Sequence, residues 1–193
     1  MKSWNKLRCL LMDKSLLIVD TREKGHKKIL EYFDSVGQDY IISKLDAGDY
    51  MLYKNYTTII DKKDGLLEIC GNLCRATEHK RLVREVERAH ANGCKDFIFL
   101  IQDNKIKSVE DIKAWTSPYT KVKGYVLYKT MKTFKEHHGV RFIIVPRADM
   151  GRKIIELLTK KWYNLIVLEI TYVFFIHFLH YKLSILLVAR SKY

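Results

Sequence analysis

The stretches Leu45-Asp46-Ala47-Gly48-Asp49-Tyr50 and Thr57-Thr58-Ile59-Ile60-Asp61-Lys62-Lys63 decide the fold of this chain. Aromatic and β-branched residues predict one strand over Tyr50–Tyr53 and another over Thr57–Asp61, separated by a short turn at Lys54-Asn55. If the two strands pair, the Gly-Asp turn that precedes the first strand lies beside the charged end of the second.

That charged end carries a carboxylate and an ammonium on one face. Alternate residues of a strand share a face, so Asp61 and Lys63 point the same way, and Lys62 points oppositely. Strand pairing lets Asp49 join Asp61 around a hard cation such as Mg²⁺, which prefers oxygen ligands and retains several waters. This arrangement suits phosphodiester hydrolysis, with Lys63 orienting water or stabilising developing negative charge. The alternative is that these charges serve solubility and that Gly48-Asp49 only forms a turn.

Strands and helices alternate outward from these segments. Further strands are predicted over Leu16–Val19, Tyr40–Leu45, Phe97–Ile101 and Arg141–Val145. Helices are predicted over His26–Phe33, around Leu82–Ala89, and over Ser108–Trp115, Lys121–His138 and Asp149–Lys160. The alternation predicts an α/β fold with a mixed central sheet flanked by helices.

Positive charge is spread along the chain. The formal net charge is +13 over 193 residues. Such a surface attracts polyanions, of which nucleic acid is the commonest, although an anionic membrane or an acidic protein satisfies the same electrostatics.

The composition changes near the end of the chain. Residues 162–193 are apolar and rich in aromatic and β-branched side chains, so we expect a domain over residues 1–161 followed by a C-terminal extension of unknown role. A spanning helix needs about 20 largely apolar residues, whereas the longest stretch without acidic residues, Lys or Arg is Ile170–Tyr181. A packed or poorly ordered extension is therefore favoured over membrane contact through the tail.

The cysteines and the start of the chain indicate a cytoplasmic protein. The four cysteines show no paired zinc spacing, and charged residues interrupt the N-terminal apolar run, so we expect free thiols and no signal peptide. A metal site built from Cys70, Cys74 and His79 is the weaker alternative.

Three motifs, taken in order, resemble one known family. Val19-Asp20-Thr21-Arg22-Glu23, Gly48-Asp49-Tyr50 and Ile60-Asp61-Lys62-Lys63 are similar to the V-D-x-R-E, G-D-Y and E-R-K motifs of the XPF family of structure-specific endonucleases. The resemblance extends over about Ser15–Leu158, and its later part resembles the compact stand-alone versions found in phages and prophages.

The resemblance implies a restriction-endonuclease-like fold, dependence on Mg²⁺ or Mn²⁺, and cleavage of branched, flapped or forked DNA. It also implies DNA repair or recombination as the setting, a homodimer, and the host-cell cytoplasm as the location if a phage encodes the chain. By the same resemblance Asp49 and Asp61 are metal ligands and Lys63 is the catalytic lysine. Asp20 and Glu23 then line the same pocket.

The sequence departs from the family pattern at the catalytic strand. Asp61 replaces the usual Glu, Lys62 replaces Arg, and the family's further acid falls on Leu67. Glu68 is therefore the expected third metal ligand. If it does not substitute, the expected protein is an inactive DNA-binding module with the same fold.

A set of basic residues is expected to contact DNA. It comprises Arg22, Lys62, Arg75, Lys80, Arg81 and Arg84. The alternative for the members around Arg81 and Arg84 is a solvated helix face, in which Glu85 and Arg88 take part in ion pairs. Asp20 has its own alternative, as a cap of the helix that follows.

Overall fold

A computed structural model describes residues 16–23 and 25–159. The strands are β1 (Leu17–Val19), β2 (Tyr40–Ile42), β3 (Tyr50–Leu52), β4 (Asn55–Lys63), β5 (Asp96–Gln102) and β6 (Arg141–Val145). The helices are α1 (Lys27–Ser35), α2 (Leu66–Cys74), α3 (Ala76–Ala91), α4 (Gly124–His138) and α5, which is described over 150–159. Short 3₁₀ turns cover Glu110–Ala114 and Arg147–Asp149.

The strands form one six-stranded mixed sheet in the order β2-β1-β3-β4-β5-β6. β3 is antiparallel to both of its neighbours, β1 and β4. The other three pairs, β1 with β2, β4 with β5, and β5 with β6, are parallel. β1, β4, β5 and β6 therefore all end at the same edge of the sheet, where β3 begins. The predicted mixed central sheet flanked by helices is confirmed.

Alternation along the central strands divides the core between the two faces of the sheet. On one face, Ile59, Phe97 and Phe99 join the cluster that includes buried residues of α2, α3 and α4. Strand periodicity directs Ile60 and Leu100 to the opposite face. Ile60 and Leu100 are fully buried as well, so β4 and β5 are covered on both sides.

α1 packs against the half of the sheet that contains β2 and β3. The Phe33 ring lies 5.8 Å from that of Tyr40 and 6.5 Å from that of Tyr50. Gly151 at the start of α5 lies so close to Tyr32 that an added Cβ would come within 2.6 Å of the ring. The two helices therefore contact each other.

Several boundaries differ from the predicted ones. β4 begins at Asn55 and continues to Lys63, because parallel pairing with β5 extends through Lys63 opposite Ile101. β2 ends at Ile42 rather than Leu45. A break at Arg75, which is extended, separates α2 from α3.

The loop before the first 3₁₀ turn forms a capping box. The Asp111 carboxylate accepts a hydrogen bond from the Ser108 amide at 2.9 Å, and the Ser108 hydroxyl accepts one from the Asp111 amide at 3.3 Å. The turn that follows is 3₁₀ rather than α-helical.

The expected C-terminal extension, residues 162–193, lies outside the described residues. Within residues 16–23 and 25–159, no helix is both long and apolar enough to cross a membrane.

Candidate active site

The site begins at Gly48, in a turn that lies so close to β4 that only glycine fits there. Gly48 has φ +66°, and a Cβ at this position would collide with the Ile59 side chain and lie 3.0 Å from the Ile60 carbonyl. Asp49 follows directly, and its amide donates to that carbonyl at 2.8 Å. The Asp49 carbonyl accepts from the Asp20 amide at 2.8 Å, so β1 and β4 both hold the Asp49 backbone.

The end of β4 places Asp61 and Lys63 in direct contact. The Lys63 Nζ donates to Asp61 Oδ1 at 2.6 Å, and both residues are buried. The second carboxylate oxygen, Asp61 Oδ2, is buried without a hydrogen-bond partner among the described residues. A buried, unpaired carboxylate oxygen is costly unless a cation or donor approaches it.

Burial and neighbouring charges govern the protonation of the two aspartates. Burial, followed by the charge of Asp61, raises the pKa of Asp49 to about 9. Burial also raises the pKa of Asp61, although Lys63 opposes this shift. Burial disfavours the Lys63 ammonium, but the charge and hydrogen bond of Asp61 outweigh it and raise the pKa of Lys63. Without a cation, the aspartate pair therefore retains a proton at neutral pH.

These two carboxylates fit a hard divalent cation. Mg²⁺ is commonly bound by one or two carboxylates and retains several waters, and the unpaired Asp61 Oδ2 supplies a free oxygen donor. A cation would also offset the repulsion that holds a proton on the pair. The two carboxylates are thus oxygen ligands of the kind that a hard divalent cation binds.

Glu68 does not complete the predicted three-ligand set. Its Oε2 accepts from the Asp64 amide at 2.7 Å at the start of α2, and its Oε1 lies 3.8 Å from the Lys63 Nζ. Across the part of the chain that the structure describes, no group of three acidic, His or Cys side chains converges to hold a metal. The structure brings Asp49 and Asp61 together and leaves Glu68 beside Lys63.

Asp20 is committed to local structure rather than to the pocket. Its carboxylate accepts from the Arg22 amide and guanidinium at 2.7–2.9 Å and from the Leu45 amide at 2.7 Å. Burial alone would raise the pKa of Asp20, but these hydrogen bonds outweigh it and lower the pKa. Asp20 thus neither lines the pocket as expected nor caps α1, which has no side-chain cap. Arg22 also donates to the Leu45 carbonyl at 2.7 Å, and 60% of its side chain is exposed, so the DNA contact expected of it stays a prediction.

Lys62 points to the other face of β4, where it pairs with Glu23. The charge of Glu23 still reaches the site, because it adds to the burial that raises the pKa of Asp49. The Lys62 Nζ lies 2.6 Å from Asp64 Oδ1 and 3.1 Å from Glu23 Oε1, and only 3% of its side chain is exposed. The expected DNA contact through Lys62 is therefore corrected, because its ammonium is buried in these ion pairs. Its amide has a different role, since it donates to Asp49 Oδ2 at 2.7 Å.

The remaining predicted DNA contacts lie on the surface. Arg75, Lys80, Arg81 and Arg84 are all exposed. Arg81 pairs with Glu78 at 3.0 Å and approaches Glu85 at 3.8 Å, as the alternative of an ion-paired helix face expects. The Arg84 guanidinium donates to the Lys80 carbonyl at 3.2 Å. Both interpretations of this face stay open.

A family model of the ERCC4 domain matches residues 19–157. The chain belongs to the ERCC4 domain family. This assignment confirms the resemblance to XPF-type nuclease domains and supports a DNA nuclease.

Solved structures agree on the fold of this ERCC4 domain. XPF from Aeropyrum pernix superposes with a TM-score of 0.55 at 18% identity, covering 76% of this chain and 69% of that one. XPF from the same organism in complex with DNA gives a TM-score of 0.57 at 16% identity, covering 78% and 66%. The search of curated proteins finds no match.

Sequence reasoning missed one acidic neighbour of the ERCC4 site. Glu85 on α3 accepts a hydrogen bond from the Gly48 amide, whereas the sequence suggested only a solvated helix face for it. A signal was present, because position 85 lies at helical spacing from the buried Leu82 and Ala89. The contact itself joins residues 37 positions apart and cannot be read from local spacing.

Proposed function

We propose that this protein is a Mg²⁺- or Mn²⁺-dependent endonuclease that hydrolyses phosphodiester bonds in branched, flapped or forked DNA. The observation that carries the proposal is the buried Asp61. One of its oxygens pairs with Lys63 at 2.6 Å, and the other has no hydrogen-bond partner among residues 16–23 and 25–159. Asp49 lies on the adjoining turn, and its charge interacts with that of Asp61. Membership of the ERCC4 domain family supports the same activity.

Each residue at the site has a definable task in this reaction. Asp49 and Asp61 would hold the cation, which when bound supplies charge neutralisation at the phosphate and an activated water. The Lys62 amide fixes Asp49 Oδ2 at 2.7 Å and so orients that carboxylate. Lys63 holds Asp61 and remains positively charged, so its other N–H groups are available to a phosphate oxygen or to the attacking water.

The charge of the chain and the solved structures it resembles both support DNA as the substrate. The net charge of +13 favours a polyanion, and the exposed basic residues of α3 provide candidate phosphate contacts. A solved structure of XPF from Aeropyrum pernix is a complex with DNA. The preference for junctions rests on the family resemblance.

The test is cleavage of labelled flap, fork and plain duplex DNA with Mg²⁺ or Mn²⁺, and with a chelator as the metal-free control. Asp49→Asn and Lys63→Ala are compared with wild type, and Asp39→Asn is the matched control because Asp39 is exposed and outside the site. We expect both site variants to abolish metal-dependent cutting while they retain DNA binding. Cutting by both variants at the wild-type rate would refute the proposal.

A second candidate is a DNA-binding module that does not cleave. It is favoured by the absence of a third converging acid among the described residues and by Leu67 at the position where the family carries one. The same experiment decides between the two candidates. Binding without cutting under either metal would support the inactive module.

A further inference from the structure

Glu85 of α3 contacts the turn that carries Asp49. Its Oε1 accepts a hydrogen bond from the Gly48 amide at 3.0 Å, and only 16% of the side chain is exposed. The same helix contacts this loop again three residues further on, where Arg88 approaches the Asp46 carbonyl at 3.5 Å. One face of α3 therefore packs along the loop before Asp49.

The loop is held at both ends by carboxylates. At residue 45 the backbone amide donates to Asp20 Oδ2 at 2.7 Å, and at residue 48 the amide donates to Glu85. Gly48 has the left-handed φ of +66° and lies in a turn before β3. Its amide is therefore outside the hydrogen bonding of the sheet and needs another acceptor. Glu85 supplies that acceptor from a different element of the fold.

Glu85 also lies close enough to the site for its charge to affect Asp61. Burial is the main cause of the raised pKa of Asp61, and the negative charge of Glu85 adds to it. Arg81 lies 3.8 Å from Glu85 Oε2 and balances part of that charge. Glu85 Oε1, by contrast, is directed to the Gly48 amide.

We propose that Glu85 is a positioning residue, which fixes the Gly48-Asp49 turn through its acceptor oxygen and so holds the Asp49 carboxylate beside Asp61. The role requires an oxygen acceptor and does not require negative charge. Its catalytic consequence rests on the proposed nuclease function, whereas its structural consequence does not.

The test compares Glu85→Gln, Glu85→Ala and the control Glu87→Ala, in which an exposed acid of the same helix is removed. Hydrogen exchange of the Gly48 amide is measured in the full-length, isotope-labelled protein, where nine glycines make the assignment tractable. We expect Glu85→Ala to accelerate exchange at Gly48 about tenfold, as loss of one hydrogen bond implies. Glu85→Gln should keep most of the protection, because its amide oxygen is also an acceptor.

Exchange of the β5 amides separates this local effect from general destabilisation. These amides belong to the buried central strand and should exchange at the wild-type rate in every variant. Unchanged exchange at Gly48 in Glu85→Ala would overturn the proposal. This readout requires no cleavage and remains decisive even if the wild-type protein does not cut DNA.

The catalytic consequence is measured as cleavage of flap DNA at saturating substrate. Glu85→Ala should lower kcat about tenfold with KM unchanged, because a misplaced carboxylate affects the chemical step more than DNA binding. Glu85→Gln should recover most of that loss. If Glu85→Gln lost as much activity as Glu85→Ala while Gly48 stayed protected, negative charge would be the requirement and the positioning role would be wrong.

Discussion

At the scale of single residues, the site brings a half-buried aspartate, Asp49, next to a buried one, Asp61, so that their negative charges repel each other. Asp49 and Asp61 adjoin at the start of β3 and the end of β4, and burial raises the pKa of both. Lys63 offsets part of this repulsion through its 2.6 Å contact with Asp61. A site of this kind gains affinity for a divalent cation at the expense of stability in its absence.

Asp49 should make the metal-free protein less stable as pH rises. Its pKa is about 9 in the folded state and 3.8 in the unfolded reference, so the folded state binds more protons between these values. The free energy of unfolding therefore falls as pH rises through this window, by up to about 1.4 kcal/mol per pH unit for one proton. Asp49→Asn should reduce that slope and raise the free energy of unfolding at pH 8.

Chemical denaturation in the presence of a chelator, repeated at about every pH unit between roughly pH 5 and 9, gives the free energy of unfolding as a function of pH and therefore this slope. Asp39→Asn is the control, since Asp39 is exposed. Parallel stability curves for wild type and Asp49→Asn would show that Asp49 does not carry the proton.

Leu67 stands where the resemblance to the XPF family places a further acid. It is 41% exposed in the first turn of α2, so an Asp there faces no severe burial cost. We expect Leu67→Asp to increase metal affinity and cleavage, about tenfold for one added charged ligand. Titration with Mn²⁺ measures the affinity, and Leu67→Asn serves as the uncharged control. An unchanged affinity would mean that position 67 does not face the cation.

At the scale of elements, the end of β1 supports the loop between β2 and β3. Asp20 is 1% exposed and accepts hydrogen bonds from Arg22 and Leu45. Asp20→Ala leaves the Leu45 amide without its acceptor and should lower the free energy of unfolding by about 1–3 kcal/mol. Thermal denaturation checks this, with Asp39→Ala as the exposed control. Equal stability of the two variants would contradict the supporting role.

Helix α3 is the element on which DNA binding should depend. Its residues Lys80, Arg81 and Arg84 are exposed, and each phosphate contact removed should reduce the slope of log affinity against log salt by about one. Binding of flap DNA between low and moderate salt measures the slope for the triple Ala variant, with Lys132→Ala on α4 as the control. An unchanged slope would favour the solvated, ion-paired face.

The features of the site that depend on local periodicity could be predicted from the sequence. Asp61 and Lys63 share a face because a strand alternates, and the short turn at Lys54 brings Asp49 beside them. Lys62 was misassigned because its partners Glu23 and Asp64 depend on how the end of β1 packs against β4. Contacts made across the fold have no local signature in the sequence.

At the scale of the whole molecule, Asp49, Asp61 and Lys63 lie together at one edge of the sheet. The ends of β1 and β4 and the start of β3 meet there because β3 runs antiparallel between them. α3 adds Glu85 from beside the sheet. The Gly48-Asp49 turn and the Asp61–Lys63 end of β4 thus form one site only through the mixed topology of the ERCC4 domain, and Asp20 after β1 supports the loop beside it.

The most direct test of the central claim is single-turnover cleavage of labelled flap DNA while Mg²⁺ is titrated, with wild type and Asp61→Asn compared at equal DNA occupancy. The proposed function predicts cutting that saturates with metal in the wild type. It also predicts a loss of at least about 100-fold in Asp61→Asn, as expected when a metal ligand is removed. Cutting that needs no divalent cation, or that survives Asp61→Asn at the wild-type rate, would contradict it.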